Sequence, residues 1–268
     1  MSEDRSERQR ARTGAKAAVS PPVRPAIGIA HRGFSPDGAE NSMAAFQAAV
    51  DLGYRHLETD ARVTGDGVAL AFHDAILDRV TNSRGQLRQL SWREVSAARI
   101  LGREPIPRLE EVLSAFGEVS VNIDVKSDAA VGPTLDAIRR TNSWHRVRLA
   151  AFSPARLLQL RRTAGPATPS ALTATEVAAL SHDRFGLLAG PPRRAGLAAQ
   201  VPPRIGPLQV VQPRLIATAR ARGIEVHVWT VNLRAEMVRL LDLGVDAIMT
   251  DRADLLREVL RERGQWQA

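Results

Sequence analysis

Short apolar runs alternate with stretches of helical periodicity from residue 25 to the end of the chain. The runs predict strands, and apolar positions three or four residues apart predict helices between them. The predicted strands are 27–30, 56–61, 68–72, 119–125, 147–151, 225–230 and 246–249. The predicted helices are 43–50, 107–115, 131–141, 154–163, 213–222, 234–243 and 252–263. The segment 166–207 is rich in Gly and Pro and predicts only short elements and loops.

Alternation of strands and helices implies a parallel sheet, either an open doubly wound sheet or a closed barrel. Several predicted strands end in polar residues, namely His31, Glu58, Asp60, His73, Asp124, Lys126, Trp229, Asn232 and Asp251. A barrel brings all these ends together on one face, whereas an open sheet spreads them along a line. No glycine-rich phosphate-binding fingerprint follows the first strand. We therefore predict an α/β fold, a TIM-type (β/α)8 barrel.

Composition divides the chain into a tail and one domain. Residues 1–24 are basic, contain almost no large apolar residue and end in a Pro-Pro pair, which predicts a disordered basic tail. A solvated leader is the preferred interpretation, with a role in binding nucleic acid or membranes as the alternative. Residues 25–268, in a chain that is 44% hydrophobic, are long enough for one barrel domain.

The chain has no cysteine, which excludes disulfides, thiolate metal sites and a cysteine nucleophile. No run of 18 apolar residues and no secretory signal are present, so we expect a cytoplasmic protein with no transmembrane segment. The net charge is +8, which favours anionic partners. The only lysines are Lys16 and Lys126, and Lys126 stands near a predicted strand end.

Three carboxylates lie at two of the strand ends. Side chains alternate across a strand, so Glu58 and Asp60 share a face, as do Asp124 and Lys126. Close carboxylates repel each other unless a cation or proton lies between them, and Mg²⁺ and Ca²⁺ prefer oxygen ligands. These residues therefore predict a divalent metal site beside a lysine that meets a phosphoryl oxygen. Solvated strand ends, or a simple Asp–Lys pair, remain the alternative.

Two histidines complete this set of candidate residues. His31 ends the first strand and His73 follows a later one, and a histidine near its normal pKa exchanges protons at neutral pH. Arg32 can hold a phosphate through two parallel hydrogen bonds, and Trp229 is a further candidate substrate-binding residue. A structural role is the alternative for either histidine alone. Together, the residues provide what phosphodiester cleavage needs.

The chain also resembles the glycerophosphodiester phosphodiesterase family in an ordered set of motifs that spans nearly the whole domain. The matching stretches are residues 31–33 (HRG), 39–42 (AENS), 58–60 (ETD), 64–67 (TGDG), 72–74 (FHD), 106–113 (IPRLEEVL), 122–126 (NIDVK), 226–232 (VHVWTVN) and 244–252 (GVDAIMTDR). Each stretch alone is weakly specific, but their order and spacing together are highly specific.

The resemblance implies a TIM-type barrel that hydrolyses glycerophosphodiesters to glycerol 3-phosphate and an alcohol. It implies that a divalent metal, Mg²⁺ or Ca²⁺, is bound by Glu58, Asp60 and Asp124. It also implies that His31 and His73 are the acid–base pair and that Arg32 and Lys126 contact the phosphate. The family most often has glutamate at the position of Asp124, and proline at that of Ala39.

Two other functions remain open on the sequence. An aspartate as third ligand also resembles the related sphingomyelinase D type of phospholipase, which acts on lysolipids. Such an enzyme needs an exposed apolar rim, whereas aromatic residues are only 4% of this chain and its loops show little apolar character. A basic nucleic-acid-binding protein on a catalytically idle barrel needs stacking aromatics, and Tyr54 is the only tyrosine. We expect a small-molecule substrate and no nucleic acid.

Overall fold

A computed structural model describes residues 25–182 and 196–267 and shows a closed barrel of parallel strands surrounded by helices. The strands are β1 (Ile27–His31), β2 (His56–Val63), β3 (Ala69–Ala71), β4 (Arg99–Ile100), β5 (Glu104–Pro105), β6 (Ser120–Val125), β7 (Val147–Ala150), β8 (Ser170–Ala171), β9 (Leu197–Val201), β10 (Arg204–Ile205), β11 (Leu208–Gln209), β12 (Glu225–Val228) and β13 (Ala247–Thr250). The helices are α1 (Met43–Asp51), α2 (Trp92–Val95), α3 (Leu109–Ala115), α4 (Val131–Arg140), α5 (Pro154–Ala164), α6 (Ala174–His182), α7 (Pro213–Ala221), α8 (Arg234–Leu243) and α9 (Ala253–Glu262).

Eight of these strands form the barrel in the order β1-β2-β6-β7-β8-β9-β12-β13, and β13 pairs back to β1. All pairings around this ring are parallel. The predicted TIM-type barrel is therefore confirmed. The predicted tail, residues 1–24, lies outside the described residues. None of the described helices has the length and apolar character that crossing a membrane requires.

Two of the differences from the predicted elements concern the strands of the barrel. The predicted strand 68–72 is β3, which pairs antiparallel with the end of β2 and so is not a barrel strand. The reason is its short connection, because a turn of a few residues can join only antiparallel neighbours. Two barrel strands, β8 and β9, lie in the segment for which the sequence predicted only short elements and loops.

Side-chain alternation along β2 and β6 builds the core and the site together. Val121, Ile123 and Val125 of β6 are buried in an apolar cluster with side chains of α3 and α4. The intervening Asn122 and Asp124 point to the other face and line the cavity at the barrel mouth. The two-residue period of a strand thus supplies packing on one side and chemistry on the other.

Candidate active site

A cavity of about 1100 Å³ opens at the carboxyl ends of the barrel strands. Its lining includes the eight residues to which the sequence analysis assigned catalysis, metal binding or substrate binding, namely His31, Arg32, Glu58, Asp60, His73, Asp124, Lys126 and Trp229. Strand register explains part of this convergence. Asp60 of β2 pairs with Asp124 of β6, and Glu58 pairs with His31 of β1. In barrels of this type the active site lies on this face.

His31 lies between two carboxylates. Its Nδ1 is 2.6 Å from Asp251 Oδ1, and its Nε2 is 3.7 Å from Glu58 Oε2. Burial opposes protonation of this ring, but Glu58 and Asp251 outweigh it and raise the pKa of His31. Asp251 is itself fixed by a hydrogen bond from Asn232 Nδ2 at 2.8 Å. A carboxylate at Nδ1 orients the ring and leaves Nε2 for proton exchange.

His73 also lines the cavity and likewise has a carboxylate at Nδ1. Its Nδ1 lies 2.6 Å from Asp74 Oδ1. Arg79 holds Asp74 in place through its Nε at 2.6 Å and also contacts Glu40, at 2.6 Å from its Nη2. The pKa of Asp74 is lowered to about 2, chiefly by the hydrogen bond from Arg79. Asp74 is therefore a charged partner for the ring at neutral pH.

Arg32 stands at the turn that follows β1. Its backbone has φ 56° and that of Gly33 has φ 86°, which makes a left-handed turn between β1 and α1. The guanidinium lies 3.0 Å from Asp60 Oδ2 through Nε and donates a hydrogen bond from Nη1 to Glu40 at 2.9 Å. The arginine is thereby held against the buried carboxylates.

The three candidate metal ligands are deeply buried. Glu58, Asp60 and Asp124 are 4%, 1% and 7% exposed. Burial, followed by the nearby Asp60, raises the pKa of Glu58 to about 7. Burial alone would also raise the pKa of Asp60, but Lys126 and Arg32 outweigh it and lower the value. Crowded carboxylates in a low-dielectric site favour a proton or a cation between them.

Lys126 supplies such a cation. Its Nζ lies 2.8 Å from Asp60 Oδ1 and 2.6 Å from Asp124 Oδ2, and so bridges the two carboxylates. As the side chains stand, no three His, Cys, Asp or Glu residues within 25–182 and 196–267 are grouped closely enough to hold a metal ion. However, Asp124 Oδ1 is buried and has no hydrogen-bond partner. An all-oxygen donor set with an unsatisfied oxygen fits a hard divalent cation, which would compete with Lys126.

Several residues of the site were missed in the sequence analysis. Asn41, which has φ 57°, donates a hydrogen bond from Nδ2 to Asp60 Oδ2 at 2.9 Å and accepts one from Thr59 Oγ1 at 2.8 Å. Glu40 joins Arg32 to Arg79. Both residues lie in the AENS stretch, so the motif contained this signal. Ser42 caps α1 by accepting a hydrogen bond from the Ala45 backbone N–H.

The cavity also has an extensive apolar side, which corrects the expectation of loops with little apolar character. Phe152 lies two residues after the end of β7, and its ring packs edge-on against Trp229 at 5.4 Å between centroids. Ile205 and Leu208, on the β10–β11 hairpin, line the cavity mouth. The amino-acid composition did not reveal this rim, because a few apolar side chains at one edge of the cavity hardly change the average apolar content of the chain.

Comparisons with known proteins agree on one family. The sequence model described as the Glycerophosphoryl diester phosphodiesterase family matches residues 31–255. A probable glycerophosphodiester phosphodiesterase 2 from Mycobacterium tuberculosis is 41% identical over 244 residues, which are 90% of this chain and 92% of that protein.

Solved structures share the fold. A putative glycerophosphoryl diester phosphodiesterase from Silicibacter pomeroyi superposes with a TM-score of 0.71 at 24% identity, over 91% of this chain and 95% of the other. An Oleispira antarctica phosphodiesterase, solved in complex with the product sn-glycerol-3-phosphate, gives 0.70 at 21% identity, over 88% and 96%. At these identities the two structures support the barrel fold alone.

Proposed function

The chain is an enzyme of the glycerophosphoryl diester phosphodiesterase family, and on that premise we propose how the barrel mouth cleaves its substrate. The substrate is a glycerophosphodiester, which is hydrolysed to glycerol 3-phosphate and an alcohol. His31 and His73 are the acid–base pair, and Arg32 and Lys126 contact the phosphoryl group. Trp229 lies against the rest of the substrate.

One observation carries this assignment: two histidines in one cavity each have a carboxylate at Nδ1. The distances are 2.6 Å from His31 to Asp251 and 2.6 Å from His73 to Asp74. A ring fixed in this way exchanges a proton through Nε2, and phosphodiester cleavage needs one base and one acid. A histidine with a purely structural role would not require a second histidine in the same cavity that also has a carboxylate at Nδ1.

The reaction proceeds in two steps. One histidine removes the proton of the glycerol hydroxyl next to the phosphoester, and this oxygen attacks phosphorus. The other histidine protonates the alcohol as its bond to phosphorus breaks, which leaves a five-membered cyclic phosphate. Water then opens the ring with the two roles reversed. Arg32 and Lys126 offset the negative charge that develops on the phosphoryl oxygens.

A divalent cation, Mg²⁺ or Ca²⁺, fits the oxygen donors Glu58, Asp60 and Asp124. When bound, it would neutralise charge on the phosphoryl oxygens. The burial of the three carboxylates and the unsatisfied Asp124 Oδ1 support this ligand set. Asp60 is also held by Asn41 and Arg32, so its position does not depend on a metal.

The test is release of glycerol 3-phosphate from glycerophosphocholine and glycerophosphoethanolamine. We expect turnover with added Mg²⁺ or Ca²⁺, loss in excess EDTA and recovery when the cation is restored. Glu58→Gln should weaken metal binding at least tenfold in a titration. Glu118→Gln, an exposed glutamate outside the cavity lining, is the matched control. Full turnover by metal-free protein would remove the cation from the proposal, and absence of turnover on both substrates would overturn the function.

A further inference from the structure

Arg79 lies in the segment between β3 and α2, next to the active site but outside the lining of its cavity. The side chain is 47% exposed. The backbone that carries it is fixed, because Leu77 and Val80 on either side are buried in an apolar cluster with Phe72. The backbone N–H of Thr81 closes this turn by donating a hydrogen bond to the Leu77 carbonyl at 3.1 Å. The guanidinium therefore extends from a firmly packed support.

The first partner of Arg79 is the carboxylate that holds His73. Arg79 donates hydrogen bonds from Nε to Asp74 Oδ2 at 2.6 Å and from Nη2 to Asp74 Oδ1 at 3.1 Å. Two parallel bonds from a planar guanidinium fix both oxygens of a carboxylate. Asp74 Oδ1 is also the oxygen that lies 2.6 Å from His73 Nδ1. The orientation of the His73 ring therefore depends on a carboxylate that Arg79 positions.

The second partner of Arg79 is the carboxylate that holds Arg32. Arg79 Nη2 donates a hydrogen bond to Glu40 Oε1 at 2.6 Å, and Nη1 donates one to Glu40 Oε2 at 3.3 Å. Glu40 Oε1 also accepts a hydrogen bond from Arg32 Nη1 at 2.9 Å. One nitrogen, Arg79 Nη2, thus contacts the two oxygens that hold His73 and Arg32. Without Arg79, the carboxylates of Asp74 and Glu40 would face each other as like charges.

Arg234 shows what an arginine with two carboxylate partners does elsewhere in the protein. Its side chain is 42% exposed and forms ion pairs with Glu258 and Glu262 of α9. None of these three residues lines the active-site cavity. An exposed ion pair of this kind contributes little to stability. Arg79 differs from Arg234 in that each of its partners holds a residue of the site.

We propose that Arg79 is a positioning residue for the phosphodiesterase reaction. Through Asp74 it holds the His73 ring in place for proton transfer, and through Glu40 it holds Arg32 in place for the phosphoryl group. This inference rests on the proposed function, because it requires those roles of His73 and Arg32. Arg79 lies outside the cavity lining, so it affects the reaction only through the two carboxylates.

The experiment measures kcat and KM for choline release from glycerophosphocholine, with Mg²⁺ or Ca²⁺ present. In Arg79→Gln, kcat should fall at least about tenfold, the equivalent of one lost hydrogen bond between charged groups. KM should rise by only about two- to fivefold, the equivalent of one exposed ion pair, because Arg32 keeps its contact with Asp60. Arg79→Lys should recover part of the lost kcat, since one ammonium group can bridge two carboxylates, as Lys126 does.

A double-mutant cycle tests whether Arg79 acts through Asp74. When Asp74→Asn is already present, Arg79→Gln should lower kcat by only about twofold, because residues of one hydrogen-bond network are not additive. A purely structural role for Arg79 would lower stability and leave the two losses in kcat additive. Additive losses would therefore overturn the inference. If Arg79→Gln does not fold, Arg79→Lys takes its place in the same cycle.

The matched control is Arg234→Gln, which removes the same charge from a similarly exposed arginine with two carboxylate partners. It should keep the wild-type kcat and KM. Wild-type values in Arg79→Gln as well would overturn the inference and leave the proposed function standing. Absence of choline release by the wild-type enzyme would instead refute the proposed function.

Discussion

At the scale of single residues, His31 and His73 each have a carboxylate at Nδ1, so each is expected to transfer a proton and its removal should lower turnover. Replacing either by alanine removes one proton-transfer group, which typically contributes about 10²–10⁴-fold. We expect His31→Ala and His73→Ala each to lower kcat by that factor while the far-UV circular dichroism spectrum stays unchanged. The double variant should lose less than the product of the two losses, since groups acting in one step are not additive.

His145→Ala is the matched control, because His145 is exposed and does not line the active-site cavity. It should keep wild-type turnover. If His31→Ala or His73→Ala kept most of the wild-type activity, the histidine that it removes would have a structural role. That role is the alternative that the sequence left open.

The pairing of His31 with Asp251 gives a pH prediction. Asp251 helps to raise the pKa of His31, so Asp251→Asn should lower it. The limb of the pH–rate profile that reports His31 should therefore move to lower pH, and kcat should fall because the ring loses its orienting partner. Asp254→Asn removes a carboxylate paired with Arg252 outside the cavity and should leave the profile in place. A loss of activity with no movement of the profile would assign Asp251 a purely structural role.

At the scale of elements, the turn between β1 and α1 positions Arg32. Gly33 has φ 86°, and a Cβ added there would lie 2.6 Å from the backbone carbon of Ala45. Gly38 has a similar φ of 90°, but a Cβ there meets nothing within 4 Å. The two glycines therefore separate the cost of backbone strain from the cost of a steric clash.

Gly38→Ala should lower the free energy of unfolding by about 1 kcal/mol, the cost of a left-handed residue with a Cβ. Gly33→Ala should cost roughly 3 kcal/mol or more and also reduce activity, since the clash displaces the turn that carries Arg32. Urea denaturation and turnover of both variants test this. Equal losses in the two would show that the turn adjusts to the added methyl group.

At the scale of the whole molecule, the barrel has a second group of ionisable residues at the end opposite the active site. His56 and Glu225 are the first residues of β2 and β12, and His227 and Arg148 lie close to them. A cavity of about 130 Å³ at this end is lined in part by His56, Arg148 and His227. Burial, followed by the nearby charges of His227 and Arg148, lowers the pKa of His56 to about 4.

This lowered pKa makes the stability of the barrel depend on pH. Between pH 6.5 and about 4 the unfolded chain protonates His56 while the folded barrel does not, so the free energy of unfolding falls as the pH falls. The contribution of His56 to that loss is at most roughly 3 kcal/mol at pH 4. Urea titrations at pH 7 and pH 4.5 should show a smaller pH effect in His56→Gln than in the wild type. An undiminished effect would assign the acid sensitivity to other groups, such as Glu225, whose pKa is also lowered.

The sequence alone determined the parallel sheet and the chemical types at its strand ends, and the convergence of those ends favoured a barrel over an open sheet. Strand periodicity required Glu58 and Asp60 to share a face and Asp124 to lie beside Lys126. Parallel strands then required these ends to meet on one side. Order along the chain was enough for this part of the prediction, because alternation and handedness are local properties of an L-polypeptide.

Only the tertiary structure decided which side chains become partners. Asp251 lies 220 positions from His31, and Arg79 lies 39 positions from Glu40, so no local pattern could pair them. β8, with two residues, was too short to show a period, and β3 runs antiparallel because of its neighbour β2. The apolar side of the cavity brings together Phe152, which follows β7, and Ile205 and Leu208 on the β10–β11 hairpin. Burial and contact between distant segments are properties of the closed barrel, and these determine the pKa values, the ion pairs and the lining of the cavity.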